Sequence, residues 1–132
     1  IFKVRLDLKG ENNSGIEGIT YDKNREEFYV VNEKTPTLLI KLDSELNLIN
    51  KRNLKIAADL SGLSYDDSTD ELWIISDENK LIMICNTEGE VKKKFKINIP
   101  QIEGIAVDNR NRLIYIVSDY TETLYVFKIL LN

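Results

Sequence analysis

The chain has 132 residues, 42% hydrophobic and 30% charged, which is enough apolar content for one packed core and too much for a disordered segment. Its 18 Lys plus Arg against 22 Asp plus Glu give a net charge of −4, so nothing in the balance points to nucleic acid or to an anionic membrane surface. With no His and a single Cys, Cys85, the chain by itself excludes a Ser-His-Asp triad, a Cys-His pair, a His- or thiolate-built zinc site and an internal disulfide.

Residues 1–8 alternate cleanly between apolar and polar positions and read as a strand. Beyond them the chain repeats. Gly18-Ile-Thr-Tyr-Asp22, Gly62-Leu-Ser-Tyr-Asp66 and Gly104-Ile-Ala-Val-Asp108 align without gaps. Each is followed at the same distance by a closing acid: Glu33, Asp77 and Asp119 stand 15 residues after their Gly. Successive Gly residues are 44 and 42 positions apart, a period of repeat architectures.

Within each unit the first strand is predicted over residues 16–22, 60–66 and 102–108. A short polar turn, such as Lys23-Asn-Arg25 or Asn109-Arg-Asn111, reverses the chain. Asp66-Asp-Ser-Thr-Asp-Glu71 lacks the central Gly and twelfth-position Glu of a calcium loop and also reads as a turn. The second strand, over 27–33, 71–77 and 112–118, is apolar without alternation and must be covered on both faces. Trp73 in this strand is expected between units. A third strand follows at 38–42, 81–85 and 124–127, with Cys85 an inert core residue. A fourth, more polar strand is expected at 48–56 and 91–97. In the latter, Val91, Phe95 and Ile97 share one face, and Lys92, Lys94 and Lys96 guard the other. No long helix is expected in residues 15–127.

Four antiparallel strands in about 40–50 residues make a β-propeller blade, and propellers close with about 4–8 blades. The fold class is therefore all-β: a β-propeller of which this chain supplies three four-stranded blades, too few to close a ring. The blade units fall at about residues 14–56, 57–97 and 98–130, with residues 1–9 as the outer strand of a neighbouring blade. The chain is then a single domain or part of one. Its expected partner is a missing N-terminal half of the domain or a second copy of the chain.

The stretches Gly15-Ile-Glu-Gly-Ile-Thr-Tyr-Asp22, Asp59-Leu-Ser-Gly-Leu-Ser-Tyr-Asp66, Ile75-Ser-Asp-Glu78 and Ile99-Pro-Gln-Ile-Glu-Gly-Ile-Ala-Val-Asp108 resemble the bacterial SdiA-regulated (YjiK-like) domain family, in the order of its C-terminal half. The resemblance implies a six-bladed propeller of roughly twice this length, so that these three four-stranded blades form half of a six-bladed ring, and a place in the bacterial periplasm or cell envelope. It implies no defined chemistry.

In a propeller the start of a blade's first strand and the end of its second emerge on the same face. That brings Glu17, Ser61 and Glu103 to the channel rim, with Glu33, Asp77 and Asp119 in the adjoining loops. Hard oxygen donors of this kind suit calcium, with Asn32, Ser76 and Ser118 as neutral helpers. The plainer reading is that Glu33, Asp77 and Asp119 recur in every unit because they hold turns. Glu17 and Glu103, replaced by Ser61 in the second unit, are the stronger ligand candidates. The expected function is a non-catalytic binding module of the bacterial envelope, with possible calcium at the acidic face. The alternatives are a calcium-dependent lactonase- or phosphoesterase-like hydrolase and a purely structural envelope protein.

Overall fold

A computed structural model describes residues 3–6 and 15–130. Eleven strands form three antiparallel sheets, and the described residues contain no helix, hence none able to cross a membrane. The first sheet is β1 (Ile16–Asp22), β2 (Glu27–Asn32), β3 (Leu38–Leu42) and β4 (Leu48–Asn53), paired in that order. The second is β5 (Gly62–Asp66), β6 (Glu71–Ser76), β7 (Leu81–Cys85) and β8 (Val91–Lys96). The third has three strands: β9 (Ile102–Asp108), β10 (Leu113–Ser118) and β11 (Thr123–Lys128).

The turn after each inner strand is built by the acid that ends it. Asp22 accepts the Asn24 and Arg25 N–H at 2.9 and 3.2 Å, Asp66 the Ser68 N–H at 3.0 Å, and Asp108 the Asn111 N–H at 3.1 Å. Each turn then closes on a left-handed residue, Glu26, Asp70 or Arg112, at φ of 56°, 56° and 60°. The repeated Gly-x-x-x-Asp pattern is thus a strand with its own turn attached.

Side chains of the second sheet's middle strands alternate between the two neighbouring sheets. Tyr29, Val31 and Leu39 of the first sheet pack with Leu63, Leu72, Ile74 and Met83 of the second. Trp73, Ile75, Ile82 and Ile84 on the second sheet's other side pack with Ile102, Ile114 and Ile116 of the third. This alternation explains the apolar runs of β6 and β7, which lie between two sheets, whereas β2 and β3 meet the second sheet on one side and Leu6 on the other. Cys85 is buried in the first of these layers, where burial pushes its thiol up to about 11.

The repeated Gly marks where inner strands touch. A Cβ on Gly18 would lie 2.9 Å from Leu63 Cδ2 and 3.2 Å from the Gly62 Cα, and one on Gly62 would lie 3.4 Å from the Glu103 carbonyl oxygen. Two residues further on, a hydroxyl stitches the strands together. Thr20 Oγ1 accepts the Tyr65 N–H and Ser64 Oγ accepts the Val107 N–H, both at 3.0 Å. The Asp-bearing turns are bridged as well, by Arg25 to Asp70 at 2.5 and 2.7 Å and by Asn109 to Asp66 at 2.6 Å.

The structure departs from the pattern expected of the sequence at three places. The strand expected over residues 1–8 is absent at 3–6, and the rest of it lies outside the described residues. Leu6 packs on the outer side of the first sheet with Val30, Leu38, Ile40 and Leu42. The fourth strand of the first sheet ends at Asn53, because Leu54 turns inward to pack between sheets and residues 55–58 form a turn. Phe95 does not share a buried face with Val91 and Ile97: β8 is an outer edge strand and the ring is exposed.

Candidate functional site

The starts of β1, β5 and β9 and the ends of β2, β6 and β10 lie on one face. Glu17 and Glu103 both sit at β-bulges. Pairing of β1 with β2 jumps from Ile16 to Gly18, and that of β9 with β10 jumps from Ile102 to Gly104, leaving each Glu as the extra residue. A bulge re-aims the side chain it carries. Both carboxylates are exposed. In the second sheet β5 is paired only from Gly62, and Ser61 is tied instead to the Ile75 carbonyl, which accepts its N–H at 2.9 Å and its hydroxyl at 3.4 Å.

The closing acids lie in the loops of the same face, Glu33 and Asp77 half-buried and Asp119 exposed. Their backbones do a repeated job. The Glu33 N–H donates to the Gly15 carbonyl at 2.8 Å and the Asp119 N–H to the Gln101 carbonyl at 3.1 Å, closing the entrance to each inner strand. Asp77 also uses its carboxylate: Oδ1 accepts the Ile102 N–H at 3.1 Å and the Lys80 ammonium at 2.5 Å, joining the second sheet to the third.

Two groups of expected helpers do not face the rim. Ser61 is buried. Asn32, Ser76 and Ser118 are buried too and are spent on loop structure. Asn32 Nδ2 donates to the Pro36 carbonyl at 2.7 Å, Ser76 Oγ to the Asp59 carboxylate, and Ser118 Oγ to the Pro100 carbonyl at 2.5 Å. They follow the inward-facing alternation of their strands, so that of the expected donors only the carboxylates remain at the rim.

Asp59 is the residue that sequence reasoning missed. It is buried and accepts, besides Ser76 Oγ, the N–H groups of Asp77 and Glu78 at 3.2 and 3.0 Å. It stands where Gly15 and Gln101 stand in the other units, and its side chain replaces their backbone carbonyls as the acceptor. The signal was an acid three residues before the repeat Gly in one unit only.

The rim is electrostatically coupled. Burial, then the negative charges of Asp77, Glu17, Asp119 and Glu33, push the Glu103 carboxyl above its ordinary value. Burial also raises Glu33; Lys34 opposes this, and Glu17, Asp59 and Glu78 add to it. The local cations are engaged already, Lys34 with Glu78 at 2.6 Å and Lys80 with Asp77. Among the described residues no three acidic or thiol side chains stand close enough to hold a metal ion. The rim as it stands is a field of negative charge, without the compact donor set of a calcium cage.

The match to a family model described as SdiA-regulated runs over residues 1–128. Among solved structures, the chain is similar to a hydrazine synthase of Kuenenia stuttgartiensis, with a TM-score of 0.69 at 10% identity over 96% of this chain and 36% of that one. It is also similar to a chain of a nidogen/laminin complex, with a TM-score of 0.65 at 13% identity, covering 84% and 42%. A luciferin-regenerating enzyme follows with a TM-score of 0.62 at 19% identity, covering 78% and 37%. At these identities the likeness is one of fold, the β-propeller. This chain spans well under half the length of the solved chains it matches.

Proposed function

The chain belongs to the SdiA-regulated family, and from that premise we propose that it is a non-catalytic propeller-type binding module that takes a cationic ligand at its acidic rim, in the bacterial envelope. One observation carries the reading. Carboxylates from all three sheets lie toward one face, Glu17 and Glu103 exposed on bulges and Glu33, Asp77 and Asp119 in the adjoining loops. Like charges held together without a compensating cation weaken a fold, and an incoming cation relieves the repulsion. The two Glu residues on bulges, Glu17 and Glu103, are the ones free to turn toward such a ligand.

Calcium is the hard-cation form of this proposal, and it needs oxygen donors to be drawn in from beyond their present positions. A cationic side chain or amine makes no such demand. The test is a titration of the protein with calcium chloride, and separately with a lysine-rich peptide, followed by calorimetry and thermal unfolding. Binding and stabilisation by at least one probe are expected, and both are expected to fall at least tenfold in a Glu17→Gln, Glu103→Gln double variant. Undiminished binding in that variant would remove the rim from the function. Turnover of lactone or phosphoester substrates in parallel assays would overturn the non-catalytic reading in favour of a hydrolase.

A further inference from the structure

We propose that β8, the outer strand of the second sheet, is an open edge that takes an extended acidic segment of another protein as an added antiparallel strand. The second sheet is flanked on both sides within the chain, so what its outer edge exposes does not depend on where the sequence begins or ends. The strand Val91–Lys96 carries Lys92, Lys93, Lys94 and Lys96 and no acid, in a chain whose net charge is −4. Lys92 is engaged with Glu71 at 3.2 Å. Lys93, Lys94 and Lys96 are exposed and form no ion pair among the described residues.

The register decides how that charge is presented. Lys94 and Lys96 stand beside Met83 and Leu81, on the side of the sheet that faces the first sheet. Lys93 and Phe95 stand beside Ile84 and Ile82, on the side that faces the third. Phe95 is 47% exposed although Ile82 beside it is only 6% exposed. The backbone is as open as the side chains. The Ile97 N–H donates to the Lys80 carbonyl at 2.9 Å. Ladder bonds alternate along an antiparallel strand, so Lys93 and Phe95 bond inward to β7, and the N–H and C=O groups of Lys94 and Lys96 point outward.

Lysines on an edge keep like strands from pairing with it. The same charge admits a strand of opposite sign, and main-chain bonds along an exposed edge are a general means of capturing an extended peptide. Repulsion alone has no use for a half-exposed aromatic ring, whereas an added strand would cover it. Charge presented on both faces of one strand also suits a strand laid alongside it better than a flat lipid surface. Cross-strand neighbours share a face. An antiparallel partner therefore places an acid, an apolar residue and two further acids opposite Lys96, Phe95, Lys94 and Lys93, in that order. The partner residues opposite Lys96 and Lys94 aim their own N–H and C=O groups at the edge. None of the rim carboxylates takes part, so this site stands or falls apart from the rim.

The test is fluorescence anisotropy with a short labelled peptide whose central order is Glu-Val-Glu-Glu. Binding is expected, and N-methylation of the first and third of these residues, whose amides aim at β8, is expected to abolish it. N-methylation of the Val, whose amide points away, is expected to leave binding within about twofold. A Lys94→Glu, Lys96→Glu double variant is expected to bind the unmodified peptide about tenfold more weakly or worse, because like charges directly opposite repel. Circular dichroism checks the fold of that variant, and the methylated peptides test the edge on the unaltered chain. Failure of the unmodified peptide to bind, indifference to which nitrogens are methylated, or undiminished binding by the double variant would each overturn the proposal. Sedimentation of the chain with phosphatidylglycerol vesicles in the absence of peptide binding would make the strip a lipid contact instead.

Discussion

Replacing the repeat glycines one at a time with alanine separates close approach of strands from any general intolerance of the position. At Gly18 the new Cβ lies 2.9 Å from Leu63 Cδ2, 3.2 Å from the Gly62 Cα and 3.3 Å from the Leu63 nitrogen. Ordinary carbon contacts sit at about 3.5–4.0 Å, and two of these three neighbours are backbone, so the inner strands must part. Overpacking of this kind costs about 1–3 kcal/mol. The lower entropy of the unfolded Ala chain offsets about 0.4–1 kcal/mol of that. A net loss of about 1–2 kcal/mol follows, which at this chain length lowers Tm by roughly 3–10 °C. At Gly104 the only close neighbour is Val117 Cγ2 at 2.9 Å, a half-exposed side chain that can rotate away. Gly104→Ala is expected within about 0.5 kcal/mol of neutral. Urea and thermal unfolding give the comparison. Equal losses at the two positions, or a larger loss at Gly104, would refute close approach as the reason for the glycine.

Three further outcomes follow from the same contacts. Thr20→Val keeps the shape but removes the acceptor of the Tyr65 N–H, and a loss of about 1–2 kcal/mol is expected in equilibrium unfolding. Asp59→Ala strands two N–H groups and the Ser76 hydroxyl, so a loss of about 2–4 kcal/mol is expected, with Asp59→Asn recovering part of it. The bonds from Arg25 and then Tyr65 hold Asp70 down to about 2, below the ordinary carboxylate range of about 3.9. A depressed acid contributes stability above its unfolded pKa, and that contribution is lost as pH falls from about 4 toward 2. Because Asp70 is half exposed the effect is small, and Arg25→Met is expected to flatten the pH dependence of Tm in that window; an unchanged slope would place the acid sensitivity elsewhere.

The sequence by itself determined the repeat, its strand order and the all-β class. A strand is a local object: the Gly-x-x-x-Asp unit carries its own turn acid, and the apolar run after it declares burial on both sides. It also placed Glu17, Glu33, Asp77, Glu103 and Asp119 toward one face, because strand polarity alone decides which ends emerge together. Tertiary structure decided what those residues do there. Whether an acid faces the rim or a loop depends on bulges and on neighbours more than 15 residues away. Glu17 and Glu103 gained their exposure from register jumps that no spacing announces, while Asp77 turned its carboxylate to the Ile102 amide of the next sheet. Asp59 became an acceptor for a strand entrance only because the chain brings residues 76–78 back to it. The same holds for the hydroxyls of Thr20 and Ser64: polar residues in an apolar strand look incidental along the chain, and their amide partners, more than 40 residues away, appear only when sheets stack.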